Sequence, residues 1–212
     1  MQAPEPPLSR SLKGSIALVT GAGSGMGRAT AEVFAAEGAH VAVTDNVEEN
    51  ARTVAKAIAL KGQSAHAWKM DVANVQQVNA VVAEIGAKWG RIDAVVNNAG
   101  IPGFSAIDSE NYEAVWERAI SVLLTAQQRV IRAALPHLRT SAAPRIVNIA
   151  STEALGATAR DSPYAAAKSG VTGRTRALAA EPGPERVTGS CSCPGPLPPP
   201  TACRPPGLPG FA

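Results

Sequence analysis

The sequence contains no long apolar run, few cysteines and few aromatic residues. Aromatic residues make up 4% and charged residues 17% of its 212 residues. No stretch approaches the roughly 18 consecutive apolar residues that a transmembrane helix needs. The N-terminal residues MQAPEPPLSR carry prolines where a signal peptide has an apolar segment. We therefore expect a protein that neither spans a membrane nor is exported by a standard signal.

Cysteine usage argues against both a disulfide framework and a metal site. The three cysteines are Cys191, Cys193 and Cys203, all near the C-terminus. An odd, late cluster of this kind favours a reducing, cytoplasmic location. The three histidines lie far apart in the chain, so they do not complete a zinc site with these thiols. We predict that no metal is bound.

The charge pattern argues against nucleic-acid binding. The chain has 20 Lys and Arg against 17 Asp and Glu, a net charge of +3, and no basic stripe with interleaved aromatic residues. Hydrophobic residues make up 45% of the chain, which is typical of a globular protein with a sizeable core. The length fits a single domain of about 100 to 200 residues.

Short apolar runs alternate with segments of helical periodicity. The predicted strands are 15–20, 40–45, 64–69, 92–97 and 145–150, and the predicted helices lie at about 25–37, 48–61, 74–89, 111–138 and 162–180. A repeating strand–helix order implies parallel strands with helices on both faces. The predicted fold is an α/β, doubly wound parallel sheet in a single three-layer αβα domain.

The two ends of the chain differ from this pattern. Residues 1–11 form a proline-bearing arm, and residues 198–212 are dominated by proline and glycine, which predicts an irregular tail. The domain is therefore expected over 12–197. A sixth strand within 186–195 is expected to be weak, because Gly189 and two serines replace the usual apolar run.

A glycine-rich turn, TGAGSGMG at 20–27, follows the first strand and opens a helix. Glycine lets the backbone approach a pyrophosphate closely, and helix N-terminal amides favour its negative charge. The predicted cofactor contacts of this turn are Gly21, Gly23, Ser24, Gly25, Met26 and Gly27. The alternative is a tight strand-to-helix connection without a ligand. The buried strand before the turn and the acidic residue ending the next strand favour a dinucleotide.

That acidic residue, Asp45, predicts the type of dinucleotide. A carboxylate at this place accepts hydrogen bonds from ribose hydroxyls and repels a 2′-phosphate. Neither Ser24 nor Asn46 supplies a positive charge that would attract the phosphate. The prediction is NAD rather than NADP, and the alternative is a solvated turn aspartate.

Tyr164 and Lys168 carry the predicted chemistry. They lie four residues apart in a helical segment and therefore share a face. Hydride transfer at a carbinol carbon requires a proton transfer at its oxygen, and a free tyrosine, with a pKa of about 10, is a poor base. A nearby ammonium, helped by an oxidised nicotinamide ring, lowers the pKa of a phenol. The alternative is a Tyr and a Lys on the surface of an amphipathic helix. Ser151, just past the fifth strand, is placed to hold the substrate oxygen.

Six motifs in this order resemble the classical short-chain dehydrogenases/reductases, which have a Rossmann-type sheet. They are TGAGSGMG at 20–27, Asp71-Val72, Asn97-Asn98-Ala99-Gly100, Ser151, Tyr164-Ala-Ala-Ala-Lys168, and Pro194-Gly195-Pro196-Leu197. The resemblance implies an NAD(P)-dependent oxidoreductase that interconverts a secondary alcohol and a ketone. Tyr164 is then the acid/base, Lys168 lowers its pKa and holds the ribose, and Ser151 orients the substrate.

The same resemblance implies the remaining cofactor contacts. Asp71 and Val72 are expected at the adenine, Asn98, Ala99 and Gly100 along the cofactor floor, and Pro194, Gly195 and Leu197 at the nicotinamide carboxamide. Taken singly, Asn97-Asn98 could instead cap a turn, and Asp71 could cap the helix that begins near Asn74. Phe104 and Leu155 are expected to line the substrate site.

Two departures from the family pattern bear on activity. Leu123 stands where the family has an asparagine that holds a proton-relay water. After Leu197 the family continues with a covering loop, a helix and a last strand, whereas this chain is rich in proline. The sequence thus resembles a truncated or altered member that lacks the last strand. The alternative function is a non-catalytic or unstable member that binds a dinucleotide or a partner. A homo-oligomer is expected to be a dimer rather than a tetramer.

Overall fold

Six parallel strands form one sheet in the computed structural model, which describes residues 11–156, 158–181 and 187–195. The strands are β1 (Ile16–Thr20), β2 (His40–Asp45), β3 (Ser64–Lys69), β4 (Ala94–Asn97), β5 (Arg145–Ile149) and β6 (Thr188–Ser192). The helices are α1 (Gly25–Ala36), α2 (Glu48–Ala59), α3 (Val75–Trp89), α4 (Tyr112–Ala119), α5 (Ala126–Leu138) and α6 (Ser162–Ala180). The predicted alternation of strands and helices is confirmed.

The strand order is β3-β2-β1-β4-β5-β6, and every neighbouring pair is parallel. The direction of winding reverses between β1 and β4, which defines the Rossmann-type doubly wound sheet. A crevice opens at such a reversal, beyond the carboxyl ends of the strands, because the connections on the two sides diverge there. The predicted fold class is confirmed.

The central strands are buried on both faces. Alternate residues of β1 point to opposite sides, so Leu18 packs with apolar residues of α3 and α5, whereas Val19 packs with those of α1 and α2. All five residues of β1 are buried, which explains its continuous apolar sequence. This packing holds the carboxyl ends of the strands in fixed positions beneath the crevice. Across the described residues, no helix is both long and apolar enough to cross a membrane.

The helix predicted over 111–138 has an internal irregularity. α4 and α5 are joined by a π-helical segment, Ile120–Thr125, rather than by continuous α-helix. π-helical turns are uncommon and often occur beside functional sites. Leu123 lies in this segment, fully buried, in a cluster with Ala119 and Ala167. Its side chain therefore fills space between the segment and α6.

β6 is a regular strand despite its polar composition. It pairs in parallel with β5, from Arg145 opposite Thr188 to Ile149 opposite Ser192. Main-chain hydrogen bonds form this ladder, so Gly189 and the serines do not prevent it. The predicted sixth strand is thus present. Residues 1–10 of the N-terminal arm and the tail from residue 196 lie outside the described residues. The predicted lack of a last strand concerns this tail and stays a prediction.

Candidate active site

A cavity of about 1060 Å³ lies at the carboxyl ends of the strands. Its walls include most of the predicted site residues, namely Gly21, Ser24, Gly25, Met26, Asp45, Asp71, Val72, Asn98, Ala99, Gly100, Ser151, Tyr164, Lys168, Pro194 and Gly195. Gly23 and Gly27 do not line it, and Leu197 lies outside the described residues. Residues from six separate strand ends thus meet around one space.

The glycine-rich turn is shaped by two close approaches. A Cβ on Gly27 would lie 2.2 Å from the Gly21 carbonyl oxygen, and a Cβ on Gly23 would lie 2.7 Å from Asp45 Oδ2. Gly21 itself has φ +61°. Gly23 and Gly27 therefore serve the packing of the turn, and they leave the others exposed to the cavity. Ser24 is the N-cap residue of α1 but makes no side-chain cap hydrogen bond, so its hydroxyl does not occupy the anion-binding amides of this helix.

Asp45 is buried and held by the backbone. Its Oδ2 accepts a hydrogen bond from the Gly23 amide at 2.9 Å, and its Oδ1 accepts one from the Val47 amide at 3.0 Å. The interpretation as a solvated turn aspartate is therefore wrong, since the side chain is 8% exposed. Each oxygen keeps a further lone pair that can accept from a ligand in the cavity. The residues present fit the diol of a ribose.

Asn98 ties the end of β4 to the end of β1. Its side-chain amide donates to the carbonyls of Thr20 at 2.9 Å and Gly21 at 3.1 Å. Thr20 Oγ1 in turn accepts from the amides of Asn98 and Ala99, both at 3.0 Å. This crosslink sets the floor of the cavity. The contribution of Thr20 is not evident from the sequence, because its hydroxyl acts only through a strand that is distant along the chain.

Asp71 does not cap α3. The cap is Asn74, whose side chain accepts from the Gln77 amide at 3.0 Å. Asp71 accepts instead from the Ala73 amide at 2.9 Å, which forms a local turn. The side chains of both Asp71 and its neighbour Val72 thus remain at the cavity wall.

Buried polar contacts position α6 against the sheet. The Asn97 amide donates to Asn148 Oδ1 at 2.9 Å, and the Asn148 amide donates to Thr175 Oγ1 at 3.0 Å. The Thr175 hydroxyl donates onward to the Val171 carbonyl at 2.7 Å. This chain of hydrogen bonds runs from β4 through β5 into α6. It holds the helix that carries Tyr164 and Lys168 over the strand ends.

Ser151, Tyr164 and Lys168 lie together at the cavity. The Ser151 hydroxyl accepts a hydrogen bond from the Glu153 amide at 3.2 Å, and it acts on the phenol of Tyr164, whose pKa it lowers. Lys168 Nζ donates to the Ile149 carbonyl at 2.7 Å and lies 5.4 Å from the centroid of the Tyr164 ring. The interpretation of Tyr164 and Lys168 as surface residues is wrong, because Lys168 is 3% exposed and both residues face the cavity.

Among the described residues, Lys168 is not one of the groups that shift the pKa of Tyr164. Burial raises the pKa of Tyr164 above its usual value, the Ser151 hydrogen bond lowers it, and the charges of Asp161 and Glu153 raise it further. Burial also lowers the pKa of Lys168, to about 8. The prediction of a phenol that titrates near neutrality is therefore not met by the protein groups alone. A further positive charge at the cavity is needed.

The burial of Lys168 predicts a pH-dependent stability. In the folded chain its pKa is about 8, against 10.5 for an unburied lysine. When folding lowers the pKa of a lysine, its contribution to stability is fully present at pH values above the pKa in the unfolded chain. That contribution is lost as the pH falls through the pKa in the folded chain. Without cofactor, we expect the free energy of unfolding of the wild type, relative to Lys168→Met, to rise by about 3 kcal/mol between pH 7 and pH 10.5. Denaturant titrations at both pH values measure this difference.

Exposed Lys56 offers the matched control for that experiment. The Lys56→Met variant carries the same chemical change on the surface of α2, where no burial opposes the ammonium. We expect its difference from the wild type to stay nearly constant over the same pH range. An equally flat difference for Lys168→Met would show that the ammonium is not buried as the structure places it.

Other residues at the cavity are less evident from the sequence. Phe104 lines it, as predicted, but Leu155 is 80% exposed and does not. Asp161, Glu153 and Arg118 also line the cavity, and no motif predicts them. The signal available for Asp161 was its place just before the helix of Tyr164, where an aspartate is ordinarily interpreted as a helix cap.

Comparisons with known proteins agree with this architecture. Residues 15–204 match the family model for short chain dehydrogenases. The chain is similar to the short-chain reductase protein NovJ of Streptomyces niveus, with 41% identity over 181 residues that cover 85% of this chain and 68% of that protein. It is 35% identical over 184 residues to D-beta-hydroxybutyrate dehydrogenase of Cupriavidus necator, covering 87% of this chain and 71% of that protein.

A third relative shows the range of substrates among these proteins. The chain is 38% identical over 184 residues to the BbsD subunit of (2S)-[(R)-hydroxy(phenyl)methyl]succinyl-CoA dehydrogenase from Thauera aromatica, covering 87% of this chain and 73% of that subunit. The protein therefore belongs to the short-chain dehydrogenase family. It is an oxidoreductase, and membership of this family implies a nicotinamide dinucleotide cofactor.

Proposed function

We propose that the protein uses NAD to interconvert a secondary alcohol and a ketone, with Tyr164 as the acid/base. The observation that carries this proposal is the meeting of Ser151, Tyr164 and Lys168 in the same cavity as Asp45 and the glycine-rich turn. D-beta-hydroxybutyrate dehydrogenase is among the relatives, which supports chemistry at a carbinol carbon. A cytoplasmic location and a dimeric state stay predictions.

The proposed roles follow the positions along the cavity. Ser24, Gly25 and Met26 are proposed to hold the pyrophosphate, Asp45 the ribose, and Asp71 with Val72 the adenine. The other proposed contacts at the cavity wall are Asn98, Ala99, Gly100, Pro194 and Gly195. Asp45 is the acid best placed for this role, because its carboxylate is already oriented by two backbone amides.

When bound, the nicotinamide dinucleotide accepts or donates the hydride. In the oxidation direction, the phenolate form of Tyr164 would take the proton of the substrate hydroxyl and become the phenol, as the carbinol hydrogen leaves with its electron pair for the oxidised dinucleotide. Ser151 lines the same cavity as Tyr164, so its hydroxyl would orient the same substrate oxygen. A positively charged nicotinamide ring would supply the further charge that the phenolate requires. The Lys168 ammonium, 5.4 Å from the centroid of the Tyr164 ring, is held in place by the Ile149 carbonyl.

A non-catalytic dinucleotide-binding protein is the second candidate. Two observations favour it. The buried side chain of Leu123 has no polar group that could hold a relay water, and the pKa of Tyr164 is raised in the chain alone. Absorbance of reduced nicotinamide across a panel of secondary alcohols tests turnover. The midpoint of thermal unfolding, measured with and without NAD, tests binding separately. A raised midpoint without any turnover would favour this second candidate.

Asp45 predicts a preference among dinucleotides. We expect the wild type to bind NADH at least about tenfold more tightly than NADPH, because the 2′-phosphate would lie beside a buried carboxylate. In Asp45→Asn this ratio should approach one, since the amide is uncharged. Dissociation constants from nicotinamide fluorescence measure both ratios.

Asp71→Asn is the control for that comparison, because it removes another acid from the same cavity wall. We expect it to leave the ratio of NADH to NADPH affinity unchanged. Identical ratios in the wild type and Asp45→Asn would contradict the assignment of Asp45 to the ribose.

A further inference from the structure

Asp161 is a buried carboxylate without a visible partner. It is the residue before α6, and it is 2% exposed. Its Oδ1 atom is buried and has no hydrogen-bond partner among the residues that the structure describes. The same residue lines the cavity, three positions before Tyr164. Buried carboxylate oxygens are ordinarily satisfied, so this one calls for an explanation.

Capping of α6 does not supply that explanation. Asp161 occupies the N-cap position, but its side chain makes no cap hydrogen bond. One of the amides that an N-cap side chain ordinarily bonds is absent, because Pro163 has no N–H. The Asp161 backbone carbonyl accepts from the Ala165 amide at 2.8 Å, so the first turn forms without the carboxylate.

Charge pairing does not supply it either. Among the described residues, no ion pair includes Asp161, and the cations that line the cavity, Arg118 and Lys168, are not joined to it. The acid whose charge acts on Asp161 is Glu153. The Glu153 carboxylate accepts hydrogen bonds from the Thr158 amide and hydroxyl, both at 2.9 Å. Burial, followed by the charge of Glu153, raises the pKa of Asp161.

We propose that Asp161 is a specificity-determining residue that binds a hydrogen-bond donor on the substrate, with an ammonium preferred to a hydroxyl. The proposal rests on the proposed function, because it places the substrate in this cavity. An unpaired buried acceptor carries an energetic penalty that a ligand donor relieves, so substrates with the donor are selected over those without it. The adjacent charge of Glu153 favours a cation and disfavours a carboxylate.

The position of Asp161 sets where this donor lies on the substrate. Asp161 is the N-cap of α6, three residues before Tyr164, and both residues line the same cavity. Phe104 lines the same cavity and offers an apolar surface. The substrate class is therefore a ketone or secondary alcohol with an apolar body and an ammonium or hydroxyl group on the same molecule.

A matched set of ketones tests this assignment. The probes are acetophenones that carry an aminomethyl, hydroxymethyl, ethyl or carboxylate group on the ring, at the meta or para position. Their binding to the protein saturated with NADH is measured by calorimetry, and their reduction by loss of nicotinamide absorbance. In the wild type we expect the aminomethyl ketone to bind at least about tenfold more tightly than the ethyl ketone, which is the effect of one hydrogen bond to a charged group. The carboxylate ketone should bind least.

Two variants separate charge from shape. In Asp161→Asn, which keeps an acceptor oxygen, the preference for the aminomethyl group should be lost while that for hydroxymethyl persists. In Asp161→Leu both preferences should be lost and the ethyl ketone should bind at least as well as before. Glu153→Gln is the control for the general negative field, and we expect it to weaken aminomethyl binding by less than Asp161→Asn does.

The outcomes decide the proposal separately from the proposed function. Equal preferences in the wild type and Asp161→Leu, or equal losses in Glu153→Gln and Asp161→Asn, would overturn the role of Asp161. Ketone binding without reduction would contradict the catalytic proposal alone. A lowered thermal midpoint in Asp161→Asn would also count against the role of Asp161, because it would show that the carboxylate already has a structural partner.

Discussion

Replacement of Tyr164 by phenylalanine should reduce turnover by about a thousandfold while leaving dinucleotide binding in place. The change removes only the hydroxyl, which is the group proposed to exchange a proton with the substrate, and such proton transfers contribute about 10² to 10⁴ in rate. The ring is retained, so its packing against the cluster that contains Leu123 should persist. Initial rates with the best alcohol found, and NADH fluorescence titrations, measure the two quantities.

The chain offers a matched control for this change. It contains two tyrosines, and the other, Tyr112, lies at the start of α4, where its hydroxyl bonds to Ser162 Oγ at 2.9 Å. Tyr112 is not part of the cavity wall. Tyr112→Phe should therefore keep nearly full activity. Comparable rates in the two variants would contradict the assignment of Tyr164 as the acid/base.

Replacement of Gly27 by alanine should both destabilise the fold and weaken dinucleotide binding. The new Cβ would lie 2.2 Å from the Gly21 carbonyl oxygen and 2.4 Å from Asn98 Nδ2, inside any permitted contact. The first of these atoms belongs to the backbone, and the second belongs to a side chain that donates hydrogen bonds to the Thr20 and Gly21 carbonyls. Neither atom can therefore move without a large energetic penalty. We expect a loss of about 3 kcal/mol in the free energy of unfolding. NADH affinity should fall by at least about tenfold, because the displaced carbonyl belongs to the glycine-rich turn.

Gly173 supplies the comparison for this prediction. It also lies within a helix, α6, but the nearest atom to its Cβ position is Arg176 Nη2 at 3.9 Å. Gly173→Ala should stabilise the protein by up to about 1 kcal/mol, because alanine loses less conformational freedom in a helix. Denaturant unfolding of both variants measures the contrast. If Gly27→Ala were as stable as Gly173→Ala, the close packing of the turn against Asn98 would be incorrect.

The predicted elements agree closely with the observed ones, since each is encoded by local pattern. β2 and β3 have their predicted bounds, and α6 spans Ser162–Ala180 as expected. The largest differences are small, such as the start of β4 at Ala94 rather than 92. Buried parallel strands are continuous apolar runs and helices are periodic, so short-range sequence suffices for these assignments. The π-helical segment escaped prediction because an apolar stretch such as Ile120–Thr125 has the same composition in an α-helix.

The site was predicted as a set of residues but not as an electrostatic system. Motif spacing brought Ser151, Tyr164 and Lys168 into one group, and the fold places all three at the cavity. Spacing could not show that the Lys168 ammonium bonds to the Ile149 carbonyl, or that burial would raise the pKa of the phenol. Desolvation depends on atoms contributed by distant parts of the chain, and no local pattern records them.

The sequence by itself determined the order of strands and helices, the family and the residues that surround the cofactor end of the sheet. Those features follow from apolar periodicity and from short motifs that require a glycine or an acidic residue at a fixed position. Only the tertiary structure decided which acids are buried and which are paired. Asp45 ends β2 and Asp161 precedes α6, and nothing in their local sequence distinguishes their pairing. The fold gives two backbone donors to Asp45 and, among the described residues, leaves one oxygen of Asp161 without a partner. The difference arises because burial and pairing are set by contacts between segments that are far apart in the chain.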